Sequence, residues 1–378
     1  MTDLLFFGDT ERSPAMRHEL PLAIGDGFLL GVIDGRTHIA VSALERARVE
    51  AAAPDAVLHD ISDLGLYDLL QQGMRFHDID LELASRAAAA MGVREAVVDP
   101  EMPVAVADRL RADGIVLRPD HLAVAARRRV KSPAELAGVR RAQAAAEAGM
   151  EAVASLLRRA RPDGERLAVD GLPLTADAVR AELREECRRH GCPAPPDVIV
   201  SSVWQGGGHE PGSGPLPAHR PIVVDVWPQD ERSACWGDMT RTFVVGEVPE
   251  RVRVMERLVR EALEAPRSAA RPGVTGRELH ELACDVFEAA GERTQRTGPG
   301  ADPESGFQFS LGHGVGLAVH EAPSLGLAGA DPLVAGDVVA MEPGLWDPEM
   351  GEVRFEDLLV ITEDGSETLN RFPFDLTP

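Results

Sequence analysis

Aromatic residues are scarce in this chain. They make up 4% of it, with a single tyrosine, Tyr67, and all four tryptophans (Trp204, Trp227, Trp236, Trp346) fall in the C-terminal half. Long apolar runs are missing too. No stretch approaches the roughly 20 consecutive apolar residues that span a bilayer, so no membrane segment is expected. Basic residues are in deficit, 39 Lys+Arg against 62 Asp+Glu, for a formal net charge of -23. That balance argues against nucleic acid or an anionic membrane as partner, since both require a basic surface. The four cysteines, Cys187, Cys192, Cys235 and Cys284, form no CxxC pair, and MTDLLFFGDTERS has neither a basic n-region nor a useful apolar run. The expectation is a cytoplasmic protein with free thiols and no secretory signal.

What is present is an ordinary globular composition over 378 residues, long enough for two domains at roughly 100–200 residues each. Residues 1–127 read as a small α/β domain. Apolar runs at 28–33 and 38–41 are strands joined through the tight-turn pair Asp34-Gly35. Helical patterns follow at 64–72 and 81–91, then a strand at 96–99, a helix at 103–112 and a strand at 115–117. Asp60, Asp63, His77 and Asp78 read as solvated loop residues. The basic run Arg127-Arg128-Arg129-Val130-Lys131 marks the boundary as a linker or solvated helix start.

Residues 128–378 form the second domain. Ser132, Pro133 and Glu135 agree on a helix start, the serine and glutamate as a capping box, and that helix runs to about residue 159. A second helix starts near Thr175 and ends at His190-Gly191. A strand at 198–200 leads into Gly206-Gly207-Gly208-His209. Helices then start at Pro249 and at the cap Thr275, and strands and turns fill the chain from Phe309 onward. Two helices followed by strands, twice over, suggest a duplicated α/β unit.

Five residues of this domain ask for a cation. Asp225 follows a β-branched apolar run and Asp238 precedes Phe243-Val244-Val245, on neighbouring strands of one hairpin. A buried carboxylate there is expensive unless a cation or a proton neutralises it. His313, Glu342 and Glu356 lie in or beside further short apolar runs. Four carboxylates balance two divalent cations, and without them clustered like charges resist ionising together. An oxygen-rich set with one imidazole suits Mn(II), Co(II) or Zn(II), with Mn(II) the first expectation. Two such ions can share a hydroxide made at neutral pH and polarise the carbonyl it attacks, which is amide hydrolysis.

GDMTRTF at 237–243, GHGVGLAVHE at 312–321, MEPGL at 341–345 and VRFED at 353–357, in this order, resemble the pita-bread metallopeptidases, in their aminopeptidase P, prolidase and creatinase branch. The resemblance covers about residue 129 to the C-terminus. It implies an α+β chain: a small N-terminal α/β domain followed by a catalytic domain of the pita-bread fold. It further implies that Asp225 chelates one metal, that Asp238 and Glu356 bridge both, and that His313 and Glu342 complete the other ion. Glu342 would also shuttle the proton from nucleophile to leaving amine. His320 would contact substrate or the tetrahedral intermediate, His209 would lie over the substrate, and Arg354 would orient acidic residues. A homodimer is implied, with the N-terminal domain of one subunit limiting access to the other's cleft.

Three positions depart from that pattern. Asp238 follows Asp225 by thirteen residues, longer than the family's usual hairpin, so the turn at 229–233 must bulge. Phe309 stands where proline-specific members usually carry histidine, which removes a hydrogen-bond donor to substrate. Trp346 stands where tyrosine is common and can stack without offering a hydroxyl. The functional expectation is a dinuclear-metal hydrolase cleaving Xaa-Pro peptides, as aminopeptidase or dipeptidase, through a metal-bridging hydroxide. The alternatives are a specialised amidase on another small substrate, flagged by Phe309, and a non-catalytic pita-bread module, disfavoured because all five ligands are in place.

Overall fold

The computed structural model describes residues 3–205, 209–298, 300, 303 and 305–378; the glycine triplet at 206–208 lies outside them. The chain divides into two compact units, Met1–Arg128 and Arg129–Pro378.

The first unit is built on a six-stranded sheet. Its order is Val57–Asp60, Arg36–Val41, Phe28–Ile33, Leu4–Gly8, Glu95–Val98, Val116–Pro119. Only Phe28–Ile33 runs against its neighbours. Asp34 and Gly35 turn it into the next strand with φ of 49° and 78°, the left-handed pair that a two-residue hairpin needs. Helices Phe76–Ala90 and Val104–Ala112 cover one face through Ala84, Ala88, Val106 and Leu110. Helices Pro14–Glu19 and Arg46–Ala52 cover the other through Met16 and Val49. Leu4–Gly8 is a central strand that sequence reading passed over. Being buried on both faces, it shows an apolar run without alternation. The assignment of Asp60, His77 and Asp78 to a solvated loop is corrected. Asp60 ends an edge strand, where Arg46 pairs with it at 2.9 Å, and His77 and Asp78 lie in a helix.

The second unit repeats one plan. Helices Pro133–Arg159 and Ala176–Arg189 pack on the antiparallel sheet Ile199–Ser201, Ile222–Val226, Met239–Phe243. Helices Glu250–Ala269 and Gly276–Ala289 pack on a five-stranded sheet ordered Glu321–Leu325, Gly312–Gly314, Val338–Met341, Asp357–Ile361, Ser366–Thr368. A ribbon, Gly344–Asp347 with Gly351–Arg354, completes it. Two helices and a sheet, twice, is the pita-bread architecture. Ser132 and Thr275 both form full capping boxes. The basic run spans the division between the two units but is not a solvated helix start: helix His121–Arg129 ends in it. Arg129 grips the buried Asp337 with two hydrogen bonds, at 2.6 and 3.0 Å, and Lys131 pairs with Glu321. All four cysteines are buried and free, and among the described residues no helix is long and apolar enough to cross a membrane.

Candidate metal centre

Strand alternation decides which side chains reach the centre. On Ile222–Val226, the residues Ile222, Val224 and Val226 enter the apolar core, so Asp225 faces the other way. On the neighbouring strand Met239 and Phe243 enter that core, leaving Thr240 and Thr242 on the face of Asp225, and Thr240 is its cross-strand partner. Asp238 sits just before this strand, its N–H donating to Gln143 Oε1 at 3.0 Å. Helix Pro133–Arg159 presses so closely here that a Cβ on Gly237 would stand 2.7 Å from the backbone of Ala142 and Gln143; only glycine fits. The long hairpin turn is closed by a Gln229–Trp236 bridge. Asp230 holds it, accepting from Ser233 N–H and Oγ and from Arg141.

His313 comes from the central part of the five-stranded sheet, paired with Ala340 on one side and Ser324 on the other. Its Nδ1 lies 3.2 Å from the Gly314 carbonyl oxygen. A carbonyl can only accept, so Nδ1 carries a proton, and Nε2 is the ring nitrogen that faces the acids. Nε2 is 3.5 Å from Glu342 and 3.8 Å from Asp238. Glu356 accepts from Thr240 Oγ1 at 2.8 Å, and its backbone N–H donates to the Thr240 carbonyl. Arg354 reaches Asp225 at 3.1 Å and Glu342 at 3.3 Å, and Thr242 Oγ1 ties its backbone to the first sheet.

Burial drives Asp238 and Glu356 well above the usual carboxylate range, and the neighbouring acids push the same way. Asp225 is raised by burial against the opposing pull of Arg354. Glu342 is the exception. Burial lifts it, but His313 and Arg354 together win, and its carboxyl is held below the ordinary value. His313 answers in the opposite sense: burial lowers it, yet the contacts with Glu342 bring it out above the usual imidazole. Acids pushed up in this way beside one held down make a group short of positive charge.

The donor set fits divalent cations. Ligand atoms of Asp238, His313 and Glu356 all lie within 4.8 Å of one another, and Glu356 Oε1 is buried with no hydrogen-bond partner. A buried acceptor left orphaned costs about 1–3 kcal/mol unless a cation takes it. Asp225 and Glu342 complete the acidic wall, each touching Arg354.

The outer residues are arranged less tightly. His320 packs edge-on against His313, ring centroids 4.2 Å apart, and burial with the neighbouring His313 lowers its pKa. His209 is exposed, and its charge is felt at His320 and Glu352. Phe309 stacks edge-on against Phe307, and Trp346 is half-buried on the ribbon. Trp227 and Trp236 are partly buried and pack against apolar clusters, while Trp204 is 49% exposed.

Sequence reading missed Glu352. It lies two residues before Arg354, on the same ribbon face, opposite Trp346, buried and 3.5 Å from Arg354 Nε. The alternation of EVRFED contains it: an acid at i−2 shares the face of a buried arginine. A Cβ on Gly344 would meet both Glu352 Oε1 and Phe309 Cζ at 2.8 Å, so Phe309, Trp346 and Glu352 form one wall. Thr240 and Thr242 were missed as well, although GDMTRTF places them two and four residues after Asp238.

A pita-bread core with these converging acids and histidine defines the pita-bread metallopeptidase class. Residues 137–363 match the model of metallopeptidase family M24, and the chain belongs to that family. The Xaa-Pro dipeptidase of Pyrococcus furiosus is 37% identical over 134 residues, a segment covering 35% of this chain and 35% of that protein; the match thus spans about a third of the relative's length. Among solved structures, the prolidase of Pyrococcus horikoshii superposes with a TM-score of 0.77 at 20% identity, over 100% of this chain and 95% of that one. The X-Pro aminopeptidase of Thermotoga maritima gives 0.78 at 19% identity, over 99% and 97%. At these identities the superpositions establish the fold.

Proposed function

We propose that this chain is an Xaa-Pro peptidase, releasing the residue that precedes proline from dipeptides or longer peptides. The observation that carries the reading is the convergence of Asp225, Asp238, His313, Glu342 and Glu356 around too little internal positive charge. Asp225 would hold one divalent ion, His313 and Glu342 the other, with Asp238 and Glu356 between them, and Mn(II) is the first candidate for the native metal. Bound there, the ions would supply a nucleophile at neutral pH and polarise the amide carbonyl.

The chain's own groups do the rest. Glu342, ionised and steadied at one oxygen by His313 and at the other by Arg354, takes a proton from the attacking water and passes it to the leaving nitrogen, without which an amide amine does not depart. Arg354 keeps Asp225 and Glu342 apart in fixed orientation. His320, neutral because burial lowers its pKa, offers an N–H to the developing oxyanion. A prolyl amide has no N–H and a rigid ring, so the apolar faces of Phe309 and Trp346 can select it by shape.

The test is hydrolysis of Xaa-Pro dipeptides, Xaa-Pro-Yaa peptides and non-prolyl controls by chelator-stripped protein refilled with Mn(II), Co(II) or Zn(II). Metal-dependent release of the residue before proline supports the proposal, and the preferred length separates dipeptidase from aminopeptidase. A second reading, an amidase on a non-prolyl substrate, is favoured by the wall of Phe309, Trp346 and Glu352. Stoichiometric metal binding without prolyl cleavage would select it. We also propose a homodimer, to be checked by sedimentation.

A further inference from the structure

A cavity in the first unit is remote in sequence from the metal centre. It has a volume of about 530 Å³, within the range of roughly 300–1,000 Å³ typical of small-molecule sites. Its place in the sheet is informative. Strands Leu4–Gly8, Arg36–Val41 and Val57–Asp60 run in one direction, and the cavity is lined by Phe7, Val41 and Ile61 at their carboxyl ends. In open α/β sheets, ligands settle in the crevice outside the carboxyl ends of parallel strands.

The chemistry of the walls narrows the ligand. Phe28, Leu29, Ile39, Ile79 and Leu83 make most of the remainder apolar. The charged lining is all of one sign: Asp26, Glu45 and Asp80, with no lysine, arginine or histidine. Glu45 is already taken by Arg48 at 2.6 Å. Among the described residues no side-chain cation pairs with Asp26 or Asp80. Partial burial raises the Asp80 carboxyl above its ordinary value; the charge of His77 opposes this and that of Asp26 adds to it. Leu44 and Phe76, which also line the cavity, are 89% and 77% exposed, an unusual amount of apolar surface to leave in water beside a hole.

We propose that the first unit carries a second ligand site, a cavity that takes an amphipathic cation: a protonated amine on an aliphatic or aromatic body, its apolar part against Phe7 and Leu29 and its ammonium between Asp26 and Asp80. Leu44 and Phe76 close over the apolar part, and no step of the peptidase chemistry depends on occupancy.

The experiment is calorimetric titration of the full chain with phenethylamine, phenethyl alcohol and phenylacetate, which share a body and differ in charge. The amine should bind about five- to tenfold more tightly than the alcohol, the worth of one or two partly exposed ion pairs, and phenylacetate should bind least. The double substitution Asp26→Asn, Asp80→Asn, at two exposed positions that leave the core intact, should erase the preference. Ala84→Leu, which fills the cavity from helix Phe76–Ala90, should abolish binding of all three. Equal binding of amine and alcohol, or a preference surviving the double substitution, overturns the ligand class. Absence of binding, or binding that survives Ala84→Leu, overturns the site. If the probes bind only after Leu44→Glu, Phe76→Glu has converted a dimer to monomer in sedimentation, a second copy covers the cavity and the proposal is wrong.

Discussion

Glu356 and Asp357 are consecutive, both almost completely buried, and they meet opposite fates. Asp357 faces Arg241 at 2.9 Å and Arg267 at 3.2 Å. Arg241 in turn donates to the carbonyls of Thr240, Glu356, Phe372 and Pro373, so this region is closed by the chain's own charges. Glu356 faces Asp225, Asp238 and Glu342, and among the described residues its only side-chain hydrogen bond is from Thr240. One region is saturated and the other is starved of cations. Burial of charge is therefore not by itself a functional signal; burial without an internal counter-ion is.

The contrast can be broken most severely at Glu356. Glu356→Gln should lower kcat/KM of the metal-loaded enzyme at least about 10³-fold, or about 4 kcal/mol of transition-state stabilisation, with reduced metal content by elemental analysis. The metal-free protein should behave oppositely and melt higher at neutral pH. A carboxyl whose folded pKa is raised contributes stability that is present below its unfolded value and lost as pH rises toward the folded one. Glutamine removes that loss. Apo melting curves of wild type and variant should converge near pH 4 and separate as pH rises.

On the saturated side, Arg241→Met should destabilise by about 3–5 kcal/mol, because it leaves Asp357 buried and short of its main partner. The folded fraction should keep its metal stoichiometry. If Arg241→Met strips the metal as Glu356→Gln does, the two regions are not independent and the comparison fails.

A buried base on helix Gly276–Ala289 provides the next effect. His280 accepts from the Leu311 N–H and contacts Cys284, and burial pushes it down to about 4 from 6.5. A histidine held neutral in the fold loses stability as pH falls from its unfolded toward its folded pKa, so up to about 3 kcal/mol should disappear between pH 6.5 and 4. Denaturant titrations should show that slope in the wild type and lack it in His280→Asn.

The smallest effect is expected at Glu352. Glu352→Gln removes the anion beside Arg354 Nε and frees the guanidinium to pull on Asp225 and Glu342. Divalent affinity and kcat/KM should each fall about tenfold, near 1.4 kcal/mol, with Glu352→Asp restoring part of both. An unchanged metal isotherm would make Glu352 a substrate-facing residue instead.

Much of this was legible in the chain alone. Ser132 with Glu135 and Thr275 with Glu278 announced helix starts because a capping box is satisfied within four residues, whatever lies around it. Asp34-Gly35 announced its turn for the same local reason. Asp225, Asp238, His313, Glu342 and Glu356 stood out because a charged residue inside a β-branched run needs a partner in any fold. Tertiary structure alone decided which buried acids receive an arginine: nothing in the local pattern separates Glu356, left among acids, from Asp357, met by residues 116 and 90 positions earlier. It also decided that Glu352 belongs with Arg354, that Arg129 and Lys131 are bound to Asp337 and Glu321 rather than to solvent, and that Leu4–Gly8 is central. Local rules are set by backbone geometry a few residues long, whereas charge pairing is set by which strands become neighbours, and that depends on the packing of the whole unit.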